Sequence, residues 1–380
     1  MKVCAVVCEY NPLHKGHARH LERARALSGA DFLLCLLSGP FTQRGEPAIF
    51  DKWTRARAAL LSGADLVLEL PALFALRAAP DFGLGAVSLL ERLQVVHSLS
   101  FGSEIADLSQ LYALSAPESP EVSQKIKEAL KKGHSYPRAY ALARGFELPA
   151  NALLGLSYIR ALQALRSPIL PLPVLRLEGH GQAGSSSAIR KGLLLGEEAA
   201  LSACPPHLLP LYEAARANQG GWLFLPAFDQ LLLMRLREMA PETLNLVPGL
   251  SEGLGHRVRR EALRSGSIEG LLAALRTRRY SAARLRRALL HALLGFDAAL
   301  LTAHPHPAYA RLLGFRRAAQ PLLSAIAKNS KIPLIEKAAH FKADPLFALD
   351  AAAQDLWSLA LPNPAARAAG RDFSTSPVIV

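Results

Sequence analysis

The fifteen residues Val3-Cys4-Ala5-Val6-Val7-Cys8-Glu9-Tyr10-Asn11-Pro12-Leu13-His14-Lys15-Gly16-His17 constrain the fold more than any other stretch. The apolar run at 3–8 predicts a buried parallel strand, Pro12 stops it, and residues 18–27, with Leu21 and Ala24 on one face, predict a helix directly after it. Gly16 lets the backbone approach a ligand closely. The free N–H groups and positive dipole of the helix start favour a phosphate there. His14 and His17, three residues apart, then face the same anion and can donate to charge that grows on an α-phosphate under attack. A bare His-x-Gly-His is more often a strand-turn-helix with two surface histidines. Its place at the end of the first strand of an α/β pattern, where such folds bind ligands, points instead to a nucleotide site.

Short apolar strands alternate with helices through the first 200 residues. Strands are predicted at 31–39, 65–70, 98–101 and 172–177, and helices at 52–61, 82–93, 123–133, 136–145 and 151–165. This alternation predicts a doubly wound parallel sheet with right-handed crossovers. After the fifth strand, the Gly-rich run 179–184 leads into Ser185-Ser186-Ser187-Ala188-Ile189-Arg190, which opens a helix. Ser186 and Ser187 suit either a plain N-cap or an anion site, and Arg190 lies one turn on, placed to grip a phosphate bidentately. Beyond about residue 200, Pro205, Pro206, Pro210 and the turn 218–221 mark a linker. The remainder of the chain is mainly helical, at 228–240, 254–263, 268–275 and 282–294, and the tail 372–380 is suited to a closing strand. The expected organisation is a catalytic domain at 1–200 and a mainly helical, Arg-rich domain at 201–380.

Charge separates the same two parts. Of the formal net charge of +13, residues 251–320 supply +9, with thirteen Arg, no Lys and four carboxylates, whereas residues 1–150 carry +2. A basic module joined to a nearly neutral one suggests a polyanion partner held by the second half. Cys4, Cys8, Cys35 and Cys204 form no close CxxC pair, so neither a zinc site nor a disulfide framework is expected. No window approaches a membrane span and no signal-peptide layout is present, which predicts a cytoplasmic protein without membrane contact.

Five segments carry a resemblance to a known family. They are residues 9–17, the loop Ser38-Gly39-Pro40-Phe41-Thr42-Gln43-Arg44-Gly45-Glu46-Pro47, Phe101-Gly102-Ser103-Glu104, Ser251-Glu252-Gly253-Leu254 and Arg276-Thr277-Arg278-Arg279-Tyr280. The first 200 residues look like the nucleotidylyltransferase superfamily with its HIGH-type motif, and the whole chain resembles the bacterial tRNA(Met) cytidine acetate ligase family. The resemblance implies that ATP and acetate give acetyl-adenylate and pyrophosphate, and that the acetyl group passes to N4 of the wobble cytidine of elongator tRNA(Met). It also implies ATP contacts at Val7, Cys8, Glu9, Tyr10, Asn11, Pro12, Leu13, Lys15, Gly16, His20, Gly102, Asn151 and Arg176.

The chemistry asks for such residues. The lone pair of cytosine N4 is delocalised into its ring and acetate is a poor electrophile, so the acid must first become a mixed anhydride. That requires the repulsion between acetate and triphosphate to be screened, by His14, His17 and the two helix starts. Arg44, in a loop between strand and helix, is the candidate for orienting phosphate or acetate. Asn151 is suited to reading adenine or ribose, or to capping its helix. Mg2+ is a reasonable companion to the triphosphate, with no protein ligand to name. On the basic side, Arg276, Arg278 and Arg279 beside Tyr280 combine phosphate contacts with a ring able to stack on a loop base, and Arg284 and Arg287 continue the helix. Two other functions fit the same residues: a metabolic adenylyltransferase, and an RNA-binding protein that holds ATP without turnover.

Overall fold

The computed structural model describes residues 1–176, 184–251, 253–341 and 344–380. One eight-stranded sheet runs through it in the order β5-β4-β1-β2-β3-β6-β7, with β8 beside β6. The strands are β1 (Val3–Cys8), β2 (Phe32–Ser38), β3 (Leu66–Leu70), β4 (Ser98–Ser103), β5 (Leu170–Leu175), β6 (Ala310–Phe315), β7 (Leu334–Ile335) and β8 (Val378–Ile379). The first five are parallel to one another. Their side chains alternate between two cores, as the period of a strand requires. Val3, Ala5, Leu34, Leu36, Leu66 and Leu68 enter one core, with residues of helices Ala79–Arg92 and Ala150–Ala164. Cys4, Val6, Cys8, Leu33, Cys35 and Leu37 enter the other, with residues of helices Lys15–Ser28 and Lys52–Leu61. The doubly wound architecture read from the sequence is therefore present, and all four cysteines are buried and free.

The chain winds from β1 through β2 to β3 on one side, then returns to lay β4 and β5 on the other side of β1. The order thus reverses between β1 and β4, and the carboxyl ends of the strands at such a switch point are where open α/β sheets place their ligand crevice. At the far edge, Leu170 and Arg176 donate their N–H groups to the β4 side. Pro171 and Pro173 occupy the alternate positions, so the unpaired edge of β5 lacks two of the donors that would template another strand.

The sheet is not confined to the first 200 residues, and it is not wholly parallel. β6 runs antiparallel to β3, and β7 and β8 flank it. The expected closing strand at the tail is present as β8, whereas β6 and β7 lie in a stretch read as helical. Arg311 is the reason. A charge near the start of a short apolar run argues against a strand, yet here the guanidinium is buried and paired with Glu69 at 3.2 Å and with Asp372. Lys52 joins the same cluster, 2.8 Å from Glu69 and 2.7 Å from Asp372, with no exposed surface. Two cations and two carboxylates balance, so a charge group that would be prohibitive singly is tolerated in the core. The remaining predicted helices of the second half appear as Asp229–Glu238, Leu254–Arg264, Ile268–Leu275 and Ala282–Leu294.

Candidate nucleotide site and its arginine-rich neighbour

His14 is the N-cap of helix Lys15–Ser28, and its Nδ1 accepts from the Gly16 N–H at 3.1 Å. His17 answers as the other half of a capping box, its Nδ1 3.4 Å from the His14 N–H. A Cβ at residue 16 would stand 2.9 Å from His14 Cε1, so glycine is what lets the imidazole fold back on the turn. Both Nδ1 atoms are therefore acceptors, which assigns the ring proton of each neutral imidazole to Nε2. The rings stack with centroids 3.7 Å apart, and Tyr10 lies 5.1 Å from the His17 ring. Burial and the Arg176 charge hold His14 down at about 4, and burial, His14, His20 and Arg176 keep His17 well below its usual value. At neutral pH the pair thus offers two neutral Nε2–H donors on the positive end of a helix, not two cations.

His20 Nε2 is 3.1 Å from Ser100 Oγ, which ties this helix to β4 across the switch point. Burial first, and Arg176 second, lower His20 to about 4. Arg176 leaves the end of β5 across Gly102, where a Cβ would stand 3.4 Å from its Cγ, and its exposed side chain supplies the positive charge at the mouth of the crevice. Asn151 donates to Glu104 at 2.7 Å, and the same carboxylate accepts the Ala152 N–H at 3.1 Å. Glu104 thereby caps helix Ala150–Ala164 and ties Asn151 to the strand end that carries Gly102. The run 177–183, which includes most of the Gly-rich phosphate candidate, and Glu252 lie outside the described residues.

Several residues of the 7–13 stretch give their side chains to the scaffold. Cys8 Sγ reaches Leu36 O, Tyr10 is buried against Cys35, and Leu13 is fully buried. Asn11 accepts the Ile49 N–H at 2.8 Å and donates to Pro47 O at 3.2 Å, which pins the loop 40–49 to the end of β1. Only backbone groups of these residues can face a ligand. Val7 is partly buried, while Lys15 and Gly16 are exposed. Pro12 O accepts from Ser186 Oγ at 3.1 Å, and this bond brings the second predicted helix start against the first.

That convergence extends to the loop 40–47. Arg44 donates to Ser187 Oγ at 2.9 Å. Arg190 donates to Asn11 O at 2.7 Å and to Glu46 at 2.5 Å. Glu9, its carboxyl pushed up by burial, accepts the Gln43 N–H at 2.7 Å. Sequence reasoning missed Arg55, which is buried and donates to Phe50 O, Glu9 O, Ser38 O and Gly39 O. One guanidinium thus fastens the ends of β1 and β2 from below. Its signal was present: an Arg between Trp53 and Ala56 on the apolar face of a helix.

Comparisons with known proteins cover the same ground. The HIGH Nucleotidyl Transferase family matches residues 1–372. A protein of Acetivibrio thermocellus named tRNA(Met) cytidine acetate ligase is 36% identical over the full length of both chains, and one of Caldanaerobacter subterraneus subsp. tengcongensis with the same name is 34% identical over 96% of each. The chain belongs to the tRNA(Met) cytidine acetate ligase family. The crystal structure of Thermotoga maritima TmcAL bound with alpha-thio ATP matches with a TM-score of 0.93, at 31% identity and full coverage of both chains. This family assignment makes the chain an enzyme of the ligase class and extends through the Arg-rich half.

In that half the family member sorts its arginines into two groups. Arg276, Arg278 and Arg279 are exposed. Tyr280 lies between guanidinium groups, with Arg284 4.9 Å and Arg279 5.8 Å from its ring centroid. Arg287 is different: it donates to Gln43 O at 2.9 Å, and burial, then Arg286 and Arg284, lower it to about 10. It belongs to the loop beside the nucleotide crevice as much as to the basic surface. Among the described residues no three His, Cys, Asp or Glu side chains converge in a way that would hold a metal ion, and no helix is long and apolar enough to cross a membrane.

Proposed function

We propose that this protein uses ATP to activate acetate as acetyl-adenylate, releasing pyrophosphate, and transfers the acetyl group to N4 of the wobble cytidine of elongator tRNA(Met), releasing AMP and the amine proton. The observation that carries this reading is the stacked His14–His17 pair, aimed from a helix start at the topological switch point in a chain alike end to end to proteins of that name. ATP lies in the crevice between β1 and β4, with its α-phosphate at the two Nε2–H donors and the Gly16 turn. As acetate oxygen attacks, charge accumulates on that phosphate, and preorganised neutral donors stabilise it without reorganisation. Arg44, Arg176 and Arg190 screen acetate from the triphosphate and favour departure of pyrophosphate. Mg2+ fits as an ion carried by the phosphates, since the residues facing the crevice are imidazoles and guanidiniums. The exposed arginines at 276–279 then hold the anticodon loop while its cytidine is splayed towards the anhydride, Tyr280 offering a stacking face.

The test uses the purified full chain with ATP, acetate and unmodified tRNA(Met). Pyrophosphate release that depends on acetate and proceeds without tRNA, followed by a mass increase of one acetyl group on the wobble cytidine when tRNA is added, is expected. Release that is independent of acetate and served instead by a phosphorylated coenzyme precursor would replace this reading by a metabolic adenylyltransferase. ATP binding with no release at all would leave a non-catalytic RNA-binding protein.

A further inference from the structure

The loop that carries Arg44 is held from the Arg-rich half, not from the side of the nucleotide alone. Arg286, on helix Ala282–Leu294, donates from Nε to Arg44 O at 3.1 Å, and its Nη2 lies 3.2 Å from Glu46. The other oxygen of that carboxylate takes Arg190. The next residue, Arg287, holds Gln43 O. Gly45 sits between them with φ +72°, and a Cβ there would stand 2.6 Å from Arg287 N and 2.7 Å from Arg286 Cβ. Loop and helix therefore meet backbone to backbone, an approach only glycine permits. Arg286 was part of none of the motifs in the sequence, and its side chain is only 23% exposed, with its Nε and Nη2 both engaged on the loop.

We infer that Arg286 is a positioning residue for the activation step: by bridging Arg44 O and Glu46 it fixes the loop that presents the Arg44 side chain at the nucleotide crevice. The geometry gives it two partners on one loop, a carbonyl and a carboxylate, set at the spacing of a planar fork. A lysine ammonium reaches one of them at a time. Since the same helix begins directly after the exposed 276–280 segment, the position of the loop is coupled to the element proposed to meet RNA. This inference rests on the proposed acetate activation for its kinetic test, but not for its structural one.

Two measurements on the full chain decide it. In the first, backbone hydrogen exchange is followed at the amides of 43–46 in wild type, R286A and R286K, with no turnover required. Exchange there rises by about tenfold or more in R286A, with R286K intermediate, while the amides of β1 and β2 stay protected. Unchanged exchange in the loop would overturn the inference, as would a rise spread equally over the whole chain. In the second, acetate-dependent pyrophosphate release without tRNA is measured for R44A, R286A and the double variant. R286A lowers kcat by about tenfold and shifts the KM for ATP by less than about threefold, and R44A/R286A is no slower than R44A. Multiplicative losses in the double variant, or full release with weakened tRNA affinity, would show instead that Arg286 acts independently of Arg44. Wild type inactive with acetate would sink the proposed reaction, and the exchange experiment would still judge the contact.

Discussion

The histidine corner and the 276–280 segment both offer positive or polar groups to phosphate, yet they are built in opposite ways. At the corner the polar groups are held in place before a ligand arrives: both Nδ1 atoms by backbone N–H groups, His20 by Ser100 and Asn11 by the 47–49 backbone, which leaves the two Nε2–H groups to face it. At 276–280 three guanidiniums are exposed around a half-buried tyrosine. Fixed donors suit a reaction in which charge moves by a fraction of an ångström on one phosphate, because no reorganisation is then required at the transition state. Exposed cations suit a long, flexible polyanion, whose affinity comes from counterion release and tolerates imperfect register. The two designs predict different losses when each is damaged.

The largest loss is expected at the corner. His17→Ala removes one Nε2–H donor and also the acceptor that receives the His14 N–H, so adenylate formation falls by about 100-fold or more. tRNA affinity stays within about threefold, because the basic surface is untouched. Equal loss of adenylation and tRNA binding would instead make His17 a folding residue and dissolve the contrast. A smaller loss is expected from Arg278→Glu combined with Arg279→Glu. Filter binding across a salt series should show tRNA affinity down by about tenfold at physiological salt, with the slope of log affinity against log salt reduced by about 1 to 2. An unchanged slope would move the RNA contact elsewhere on the molecule.

The contrast also explains what was legible in the chain. The corner could be read because its chemistry is local: strand, proline, imidazoles and glycine lie within fifteen residues, and their spacing on a helix start comes from backbone geometry alone. The basic half could be read only as a total. Thirteen arginines cluster at 251–320, but the sequence does not say that Arg311 is a buried partner of Glu69, that Arg259 donates to Met239 O, or that Arg287 belongs to the nucleotide loop. Each of those roles depends on a partner far away in the chain, 242 residues in the case of Arg311 and Glu69. The same distance hid β6, whose arginine contradicts a strand until its two carboxylates are in place. Lys52 opens a predicted helix and nothing in its neighbours marks it as buried, yet it has no exposed surface at all. Local patterns thus yielded the first five strands, the strand at the tail and the capped turn at His14–His17, whereas long-range charge pairing concealed β6.

The smallest effect is the most specific to the corner, and it is read in stability rather than in turnover. His14 is held at about 4 in the folded protein, chiefly by burial, against about 6.5 for an unperturbed imidazole. Between those values the unfolded chain binds a proton that the folded chain refuses, so falling pH favours unfolding through this window. The contribution of His14 is complete above 6.5 and is lost as pH descends to about 4, below which both states are protonated and the dependence levels off. His14→Asn keeps an oxygen able to cap the Gly16 turn and removes the titrating ring. Thermal unfolding followed from pH 7 to pH 4 should therefore fall less steeply for H14N than for wild type, with the two curves diverging only below about pH 6.5. Parallel curves would mean that His14 carries its proton in the folded state as readily as in the unfolded one. The corner would then take up a proton close to neutral pH, and it would attract phosphate partly by charge as the arginine segment does, instead of only by the fixed donors on which the comparison turns.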